Sequence, residues 1–391
     1  GYIDSRTGIL FYDDTYENDE NFIKVLIPLK MNETLKAFTF PTCPNCGRDK
    51  TKLTPFRTRG NEPFANIVIE QLWTQPSRNK NLKNEGKKVL LFSDSRQRAA
   101  TLARDLTIAS DGDAGRQALF LADKLLEGKY GKGNVPINLL YYAFLKIVYD
   151  NNVSFFYGDE KDTFKSQIHS YYELYGHRTS PRYHRMKDTI GNPPEMFYQL
   201  LLKNISDSFR SFNNLCLGQI LLIEGGDGGE DVNELLDIIG EQTQIDIDTI
   251  RDIYNAWIQN LIVKDIAIFP EVKDSVRSSI LPFDRSGFGV DEEDNFPLFL
   301  RKLLEKNSIS KKQIDIMKDR FIHLFTKKGD DTESNHNRKY ILPGFLTLKT
   351  NENGIWYRCN RCAGTSMFTL FNSCIYCGSD KHINKISDEE L

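Results

Sequence analysis

The stretch KKVLLFSDSRQRAATLARDL, Lys87 to Leu106, sets the class of the whole chain. Val89 to Phe92 form an unbroken apolar run behind two lysines, the pattern of a strand covered on both faces of a parallel sheet. Ala99, Leu102, Ala103 and Leu106 then recur at i, i+3, i+4 and i+7, the buried stripe of a helix packed back on that sheet. Asp94 is placed to cap this helix, with Gln97 three residues on, as a capping box requires. The unit therefore reads as strand, tight turn, helix. Its turn presents the backbone N–H groups of Ser95 and Arg96 at a positive helix end, with the Arg96 and Arg98 side chains beside them. Such an end binds phosphate.

Within this stretch VLLFSDSRQRAA resembles motif IV of the superfamily 2 DEAD/DEAH-box helicases, the strand and helix that open the second RecA-like domain. The likeness is greatest to the large bacterial members that carry cysteine-rich zinc modules and are found in DNA repair and anti-phage defence. It implies that Ser93, Ser95, Arg96 and Gln97 lie near a nucleic-acid backbone, with DNA as the partner. It also implies a parent protein that binds ATP and Mg²⁺. This chain itself has no Walker A loop, no DExH or DEAD sequence and no Q-x-x-G-R-x-x-R stretch. It is thus expected to hold no catalytic residue and to be inactive alone, as the central part of an ATP-dependent helicase or translocase. The remaining helicase domains, or a partner subunit, would supply the ATP site. The plain alternative is an ordinary βα unit whose Asp94 and Gln97 only cap a helix.

A length of 391 residues allows two or three domains, and 40% hydrophobic with 27% charged residues describes a soluble globular chain. No apolar run approaches the roughly 18 residues of a membrane span, so no membrane is expected as a partner. The net charge of −3 requires any nucleic-acid contact to come from a local basic groove. Lys50, Lys52, Arg57 and Arg59 make one such cluster, although solvated surface charge explains it more simply. Gly1, with no signal-peptide pattern behind it, leads to the expectation of an internal piece of a longer protein. Six of the seven cysteines fall in three C-x-x-C pairs, which favours reduced, metal-bound thiolates in a cytoplasmic protein over disulfides.

Residues 1–80 read as a small antiparallel β element, from Ile9 to Tyr12 and Phe22 to Ile27, followed by a half zinc site and a packing helix. The half site is Cys43-Pro-Asn-Cys46-Gly47, a knuckle with no second pair nearby. Its other ligands lie upstream of Gly1, or come from a His or Cys216 in space, or the pair stays free. Pro63 to Thr74 is the packing helix, and residues 76–86 are a linker. Residues 81–110 hold the opening strand and helix. Residues 111–335 read as a long helical insertion, with helical periods over 115–128 and 136–149 and a helix pair over Val232–Ile239 and Ile247–Ile262. A second pair, Pro297–Glu305 and Lys311–Thr326, followed by strands between Tyr340 and Leu348, resembles a winged helix; lacking a basic recognition helix, it is read as a support.

Several tempting motifs fail on spacing. The run Gly225-Gly226-Asp227-Gly228-Gly229 lacks the lysine and spacing of a phosphate loop, and its oxygen ligands do not fit an EF-hand. The six histidines form no HExxH or HxH group; His323 reads as a satisfied structural imidazole and Cys216 as a small buried hydrophobe.

Residues 336–391 carry the strongest chemical signal. Cys359-x2-Cys362-x11-Cys374-x2-Cys377 sets two knuckles on facing hairpins, the spacing that brings four thiolates onto one tetrahedral Zn²⁺. Four cysteine ligands leave no open position, so the metal is read as structural and the segment as a zinc ribbon. Arg358, Arg361 and Lys381 around it leave room for a nucleic-acid-touching role, ranked below the structural one. The expected architecture is α+β and mostly helical, with the start of a RecA-like βα unit, a long helical insertion and a C-terminal zinc ribbon. The competing function is a non-enzymatic zinc-binding scaffold or interaction subunit.

Overall fold

A computed structural model of the chain describes residues 2–4, 7, 9–11, 14–16, 21–25, 31–32, 37–38, 67–68, 70–72, 74–79, 83–88, 96–151, 153, 160–176, 182–207, 210–225, 229–281, 288–291, 296–330, 338–350 and 354–386. For 96–111 the description covers the backbone alone. The strand at Val89–Phe92, the turn residues Ser93, Asp94 and Ser95, the pair Cys43 and Cys46, and the Gly-rich run at 226–228 lie outside these residues. The chain divides into two units, Gly1–Pro63 and Phe64–Leu391.

The first unit is built from short strands, as its brief apolar runs demand. β1 (Tyr2–Asp4) lies between β2 (Leu10–Phe11) and β3 (Phe22–Lys24), antiparallel to both, with Tyr2 opposite Phe11 and Lys24. Phe11, Tyr16 and Phe22 pack as a ring trio with centroids 4.2 to 5.6 Å apart. β4 (Met31–Asn32) and β5 (Ala37–Phe38) form a separate antiparallel pair.

The second unit is mostly helical, so the chain is α+β with more helix than strand. α1 runs from Arg96 to Tyr130, 35 residues and about 52 Å at 1.5 Å per residue. The sequence suggested separate helical stretches ending at Leu106 and resuming at 115; one helix spans both. Gly115, which helix propensity would place at a break, instead lets α1 approach α5, since a Cβ there would lie 2.7 Å from Leu200 Cδ1. α1 packs chiefly on α2 (Leu140–Asp150), a helix apolar nearly all round and hence buried. Around them lie α3 (Glu160–Tyr175), α4 (Met186–Ile190) and α5 (Glu195–Ser206), with Tyr141, Phe144, Phe164 and Phe197 as a shared aromatic core.

β6 (Gly218–Leu222) pairs antiparallel with β9 (Leu346–Thr350), Ile220 opposite Leu348. Two strands alone leave β6 with a bare edge, and a helix supplies the missing partner. α6 (Gly229–Thr243) and α7 (Ile247–Asp265) form the expected pair, with Asp246 capping α7 through Thr249 N at 2.9 Å. From α7, Asn255 accepts from Leu222 N at 2.9 Å and Gln259 donates to Ile220 O. These side chains stand one turn apart and meet two groups that point to the same side of β6, so α7 takes the place of a third strand.

α8 (Asp274–Ser278) carries Arg277, which is fully buried. A buried guanidinium is tolerated only when its donors are met. Here Nη1 and Nη2 donate to the carbonyls of Ile266, Ile268, Phe269 and Val272, Nε has no hydrogen bond but lies 3.5 Å from Asp274 Oδ1, and the guanidinium face lies 4.1 Å from the Tyr340 ring centroid. α9 (Leu298–Lys306) and α10 (Lys311–Leu324) follow, and then the antiparallel pair of β7 (Thr326–Lys328) and β8 (Lys339–Ile341). A complete capping box, Ser310 with Gln313, starts α10. Its exposed face mixes Lys311 and Lys312 with Asp315 and Asp319, and its inner face meets α7 through Phe321 on Trp257 at 4.3 Å.

Two smaller readings change. His323 is exposed and sits 3.3 Å from Asp319 one turn earlier, because the apolar stripe of α10 passes through Ile314, Met317 and Phe321 instead. Cys216 is half-buried with φ +55°, closing a turn through its N–H to Asn213 O, so it is a turn residue rather than a core hydrophobe. No described helix is long and apolar enough to cross a membrane.

Candidate metal centre

The C-terminal ribbon is a sheet of β10 (Trp356–Cys359) flanked by β11 (Thr365–Ser366) and β12 (Ile383–Ile386), both antiparallel to it. Its two C-x-x-C turns repeat one backbone plan. In the first, Ala363 N donates to Cys359 O at 2.8 Å and Cys359 N to Gly364 O at 3.0 Å. In the second, Gly378 N donates to Cys374 O at 2.8 Å and Cys374 N to Ser379 O at 2.9 Å. The residue after each second cysteine is left-handed, Ala363 at φ +59° and Gly378 at φ +70°, which turns both sulfurs of a pair to one side.

The Sγ atoms of Cys359, Cys362, Cys374 and Cys377 lie within 4.8 Å of one another. Across the turns Cys359 is 3.6 Å from Cys377, and Cys362 is 3.6 Å from Cys374. A tetrahedron of thiolates about 2.3 Å from a zinc ion has edges near ~3.8 Å, so the spacing suits a four-coordinate metal. Cys359 and Cys374 are buried and Cys362 and Cys377 half-buried. The crowding already separates the thiols: hydrogen bonds from Cys362 and Cys374 hold the Cys377 sulfur far below the ordinary thiol range, and contact with Cys362 and Cys377 pushes Cys374 up. Four cysteines so placed can bind a metal ion such as zinc.

The ribbon is fixed to the helical core by buried polar groups that sequence reasoning missed. Asn260 donates to Ile375 O at 2.7 Å, Asn213 to the Tyr376 hydroxyl at 2.9 Å, and Met367 N to Gln219 Oε1 at 2.8 Å. For Asn260 a signal was available, since it falls inside the otherwise apolar middle of Ile247–Ile262. Gly364 shows how tight this joint is, since a Cβ there would lie 2.4 Å from Tyr376 Cδ2. Gly364→Ala is therefore expected to displace the Tyr376 ring and destabilise the unit by about 2 kcal/mol. Thermal unfolding with the metal bound checks this, and an unchanged Tm would refute it.

Arg96 and Gln97 open α1, with no description of their side chains; Ser93 and Ser95, and the Cys43–Cys46 half site, lie outside the described residues.

Fold and site together define an α+β chain with a cluster of four cysteines, able to hold a metal ion, docked on a helical core. No family profile and no solved structure matches it. In sequence it is similar to the Druantia protein DruE of Escherichia coli (strain UMEA 4076-1), 26% identical over 380 residues, which are 93% of this chain and 20% of that protein. The chain thus spans about a fifth of the length of the curated relative it matches.

Proposed function

We propose that this chain is the central portion of an anti-phage defence protein that acts as an ATP-dependent DNA helicase or translocase, contributing nucleic-acid contacts and a zinc-stabilised ribbon but no ATP site. The observation that carries the defence assignment is the likeness to the Druantia protein DruE along 93% of the chain. Support for a motor comes from the motif IV likeness of VLLFSDSRQRAA. A 35-residue helix begins directly after that turn, so its unpaired N–H groups and dipole favour a phosphate at Arg96. The metal at Cys359, Cys362, Cys374 and Cys377 is zinc in this reading, and it supplies folding energy rather than reactivity.

Phage challenge tests the proposal. Cells carrying the parent gene with its neighbours are expected to plate phage poorly, and Arg96→Ala is expected to restore plating while leaving the zinc content unchanged. Equal plating with and without the wild-type gene, over a broad phage panel, would refute the defence assignment. Failure of the purified parent protein to hydrolyse ATP in the presence of DNA would refute the motor.

A further inference from the structure

We propose that the outer end of the ribbon is a binding surface for the sugar-phosphate backbone of a nucleic acid, formed by Arg358, Arg361, Lys381 and Lys385. The inference rests on the reading of the chain as a nucleic-acid-contacting part, and it names a surface that motif IV does not include.

Between Gly354 and Ile386 the chain has these four cations and a single acid, Asp380. Asp380 is engaged outside the ribbon by Lys306 at 3.0 Å. The four cations are exposed, and none forms a salt bridge or side-chain hydrogen bond among the described residues, Lys381 having only a longer-range attraction to the neighbouring Asp380. Elsewhere surface cations do find acids, as in the half-buried Lys146 with Asp150 at 2.5 Å and the exposed Lys273 with Glu195 at 2.7 Å. In a chain of net charge −3 this end of the ribbon is a local reversal of sign.

The register sets the strand cations on both faces of one ribbon end, around which a backbone would wrap: Arg358 lies opposite Asn384 on one face, and Lys385 opposite Tyr357 on the other. Asn360 N donates to His382 O at 2.8 Å, which brings the turn carrying Arg361 against Lys381 and His382. β12 is an outer strand of its sheet, so Lys385 stands at a margin. Two guanidinium forks suit the paired oxygens of phosphate, and the half-buried rings of Tyr357, opposite Lys385, and His382, next to Lys381, offer faces for bases. An acidic peptide would use the charges but leave those rings idle. Charge balance with the metal does not account for the cluster: a Zn²⁺ bound by four thiolates carries two negative charges, which two of the four cations offset.

Fluorescence anisotropy of the metal-loaded chain with labelled single-stranded DNA tests the surface, with salt varied from about 50 to 200 mM. The pair Arg358→Gln with Arg361→Gln is expected to raise Kd about tenfold, and the slope of log Kd against log salt should fall by about 0.7 for each cation removed. Arg361 adjoins Cys362, so Lys381→Gln with Lys385→Gln, outside both C-x-x-C turns, repeats the test with metal content measured alongside. Lys311→Gln with Lys312→Gln on α10 should leave binding unchanged. Wild-type affinity and salt slope in the Lys381 and Lys385 pair would overturn the surface, as would equal binding of polyglutamate and DNA. If DNA binding persists through another surface, the motor reading survives. If the ribbon binds DNA but the parent protein has no DNA-stimulated ATP hydrolysis, the motor reading falls and the surface stands.

Discussion

Replacing Cys374 by Ser is expected to release the metal and to destabilise the second unit by about 3 to 5 kcal/mol, beyond the ribbon itself. A structural zinc site in a short peptide is worth roughly 10 to 16 kcal/mol of folding energy at neutral pH, far more than a segment of this length gains by burying side chains. The ribbon therefore unfolds when its fourth ligand is lost. The consequence spreads because of how it is docked. Asn260, Asn213 and Gln219 are almost wholly buried, and each meets a ribbon group, Ile375 O, the Tyr376 hydroxyl and Met367 N. Each partner withdrawn leaves a buried polar group unmet, at about 1 to 3 kcal/mol apiece, partly recovered as water enters. Metal analysis should fall from about one ion per chain to near none. Thermal unfolding followed by circular dichroism should show a lower Tm, and proteolysis should cut first within 351–391. A Cys374→Ser chain that keeps its Tm after chelation would show that the metal does not hold the ribbon.

The legible and illegible parts of this molecule differ in the range of their causes. The four cysteines could be read because ligand spacing is a local code: two residues between sulfurs fix a turn, and the structure repeats that turn at Ala363 and Gly378. The pairing of α6 with α7 and of α9 with α10 could be read because apolar stripes at helical period are local too. The continuity of α1 could not. The stripe read from Ala99 ends at Leu106 and the next helical period starts at 115, and the glycine there finds its reason only in Leu200, 85 positions away, which occupies the space a side chain would need. The α7 edge contacts are likewise long-range, since nothing near Asn255 or Gln259 announces that β6 lacks a second neighbour. His323 was misjudged because apolar residues near it in sequence lie on a different face of its helix.

Asp123 should make the protein lose stability as pH rises from 4 to 8, and Asp123→Leu should abolish that loss. The residue lies on the inner face of α1 with 0% of its surface exposed, and neither carboxylate oxygen has a hydrogen-bond partner. Burial is the main reason its pKa is pushed from 3.8 up to about 8; the Glu127 carboxylate one turn on adds to the rise, and Lys124 opposes it. Lys124 is partly spent elsewhere, since its ammonium meets Glu127 Oε2 at 2.7 Å. Glu127 Oε1 is buried without a hydrogen-bond partner, so this stretch of α1 holds two carboxyl groups with little to receive. The sign follows from proton counts. Between the unfolded pKa near 4 and the folded value near 8, the folded chain keeps a proton that the unfolded chain has released. Stability is then full below pH 4, declines by about 1.4 kcal/mol per pH unit and flattens above pH 8, a total of about 5 kcal/mol at most. Leu keeps the branched outline, though with bulkier methyls, and removes both the charge and the unmet oxygens, so the variant should exceed the wild type most at pH 8 to 9 and least at pH 4 to 5. Asp123→Asn should remove the pH slope yet recover less, because its amide still lacks a partner. Tm measured from pH 4 to 9 for the three proteins decides the matter: parallel curves would mean that Asp123 is hydrated or paired in solution, and that the α1 interior is not the dry environment its burial describes.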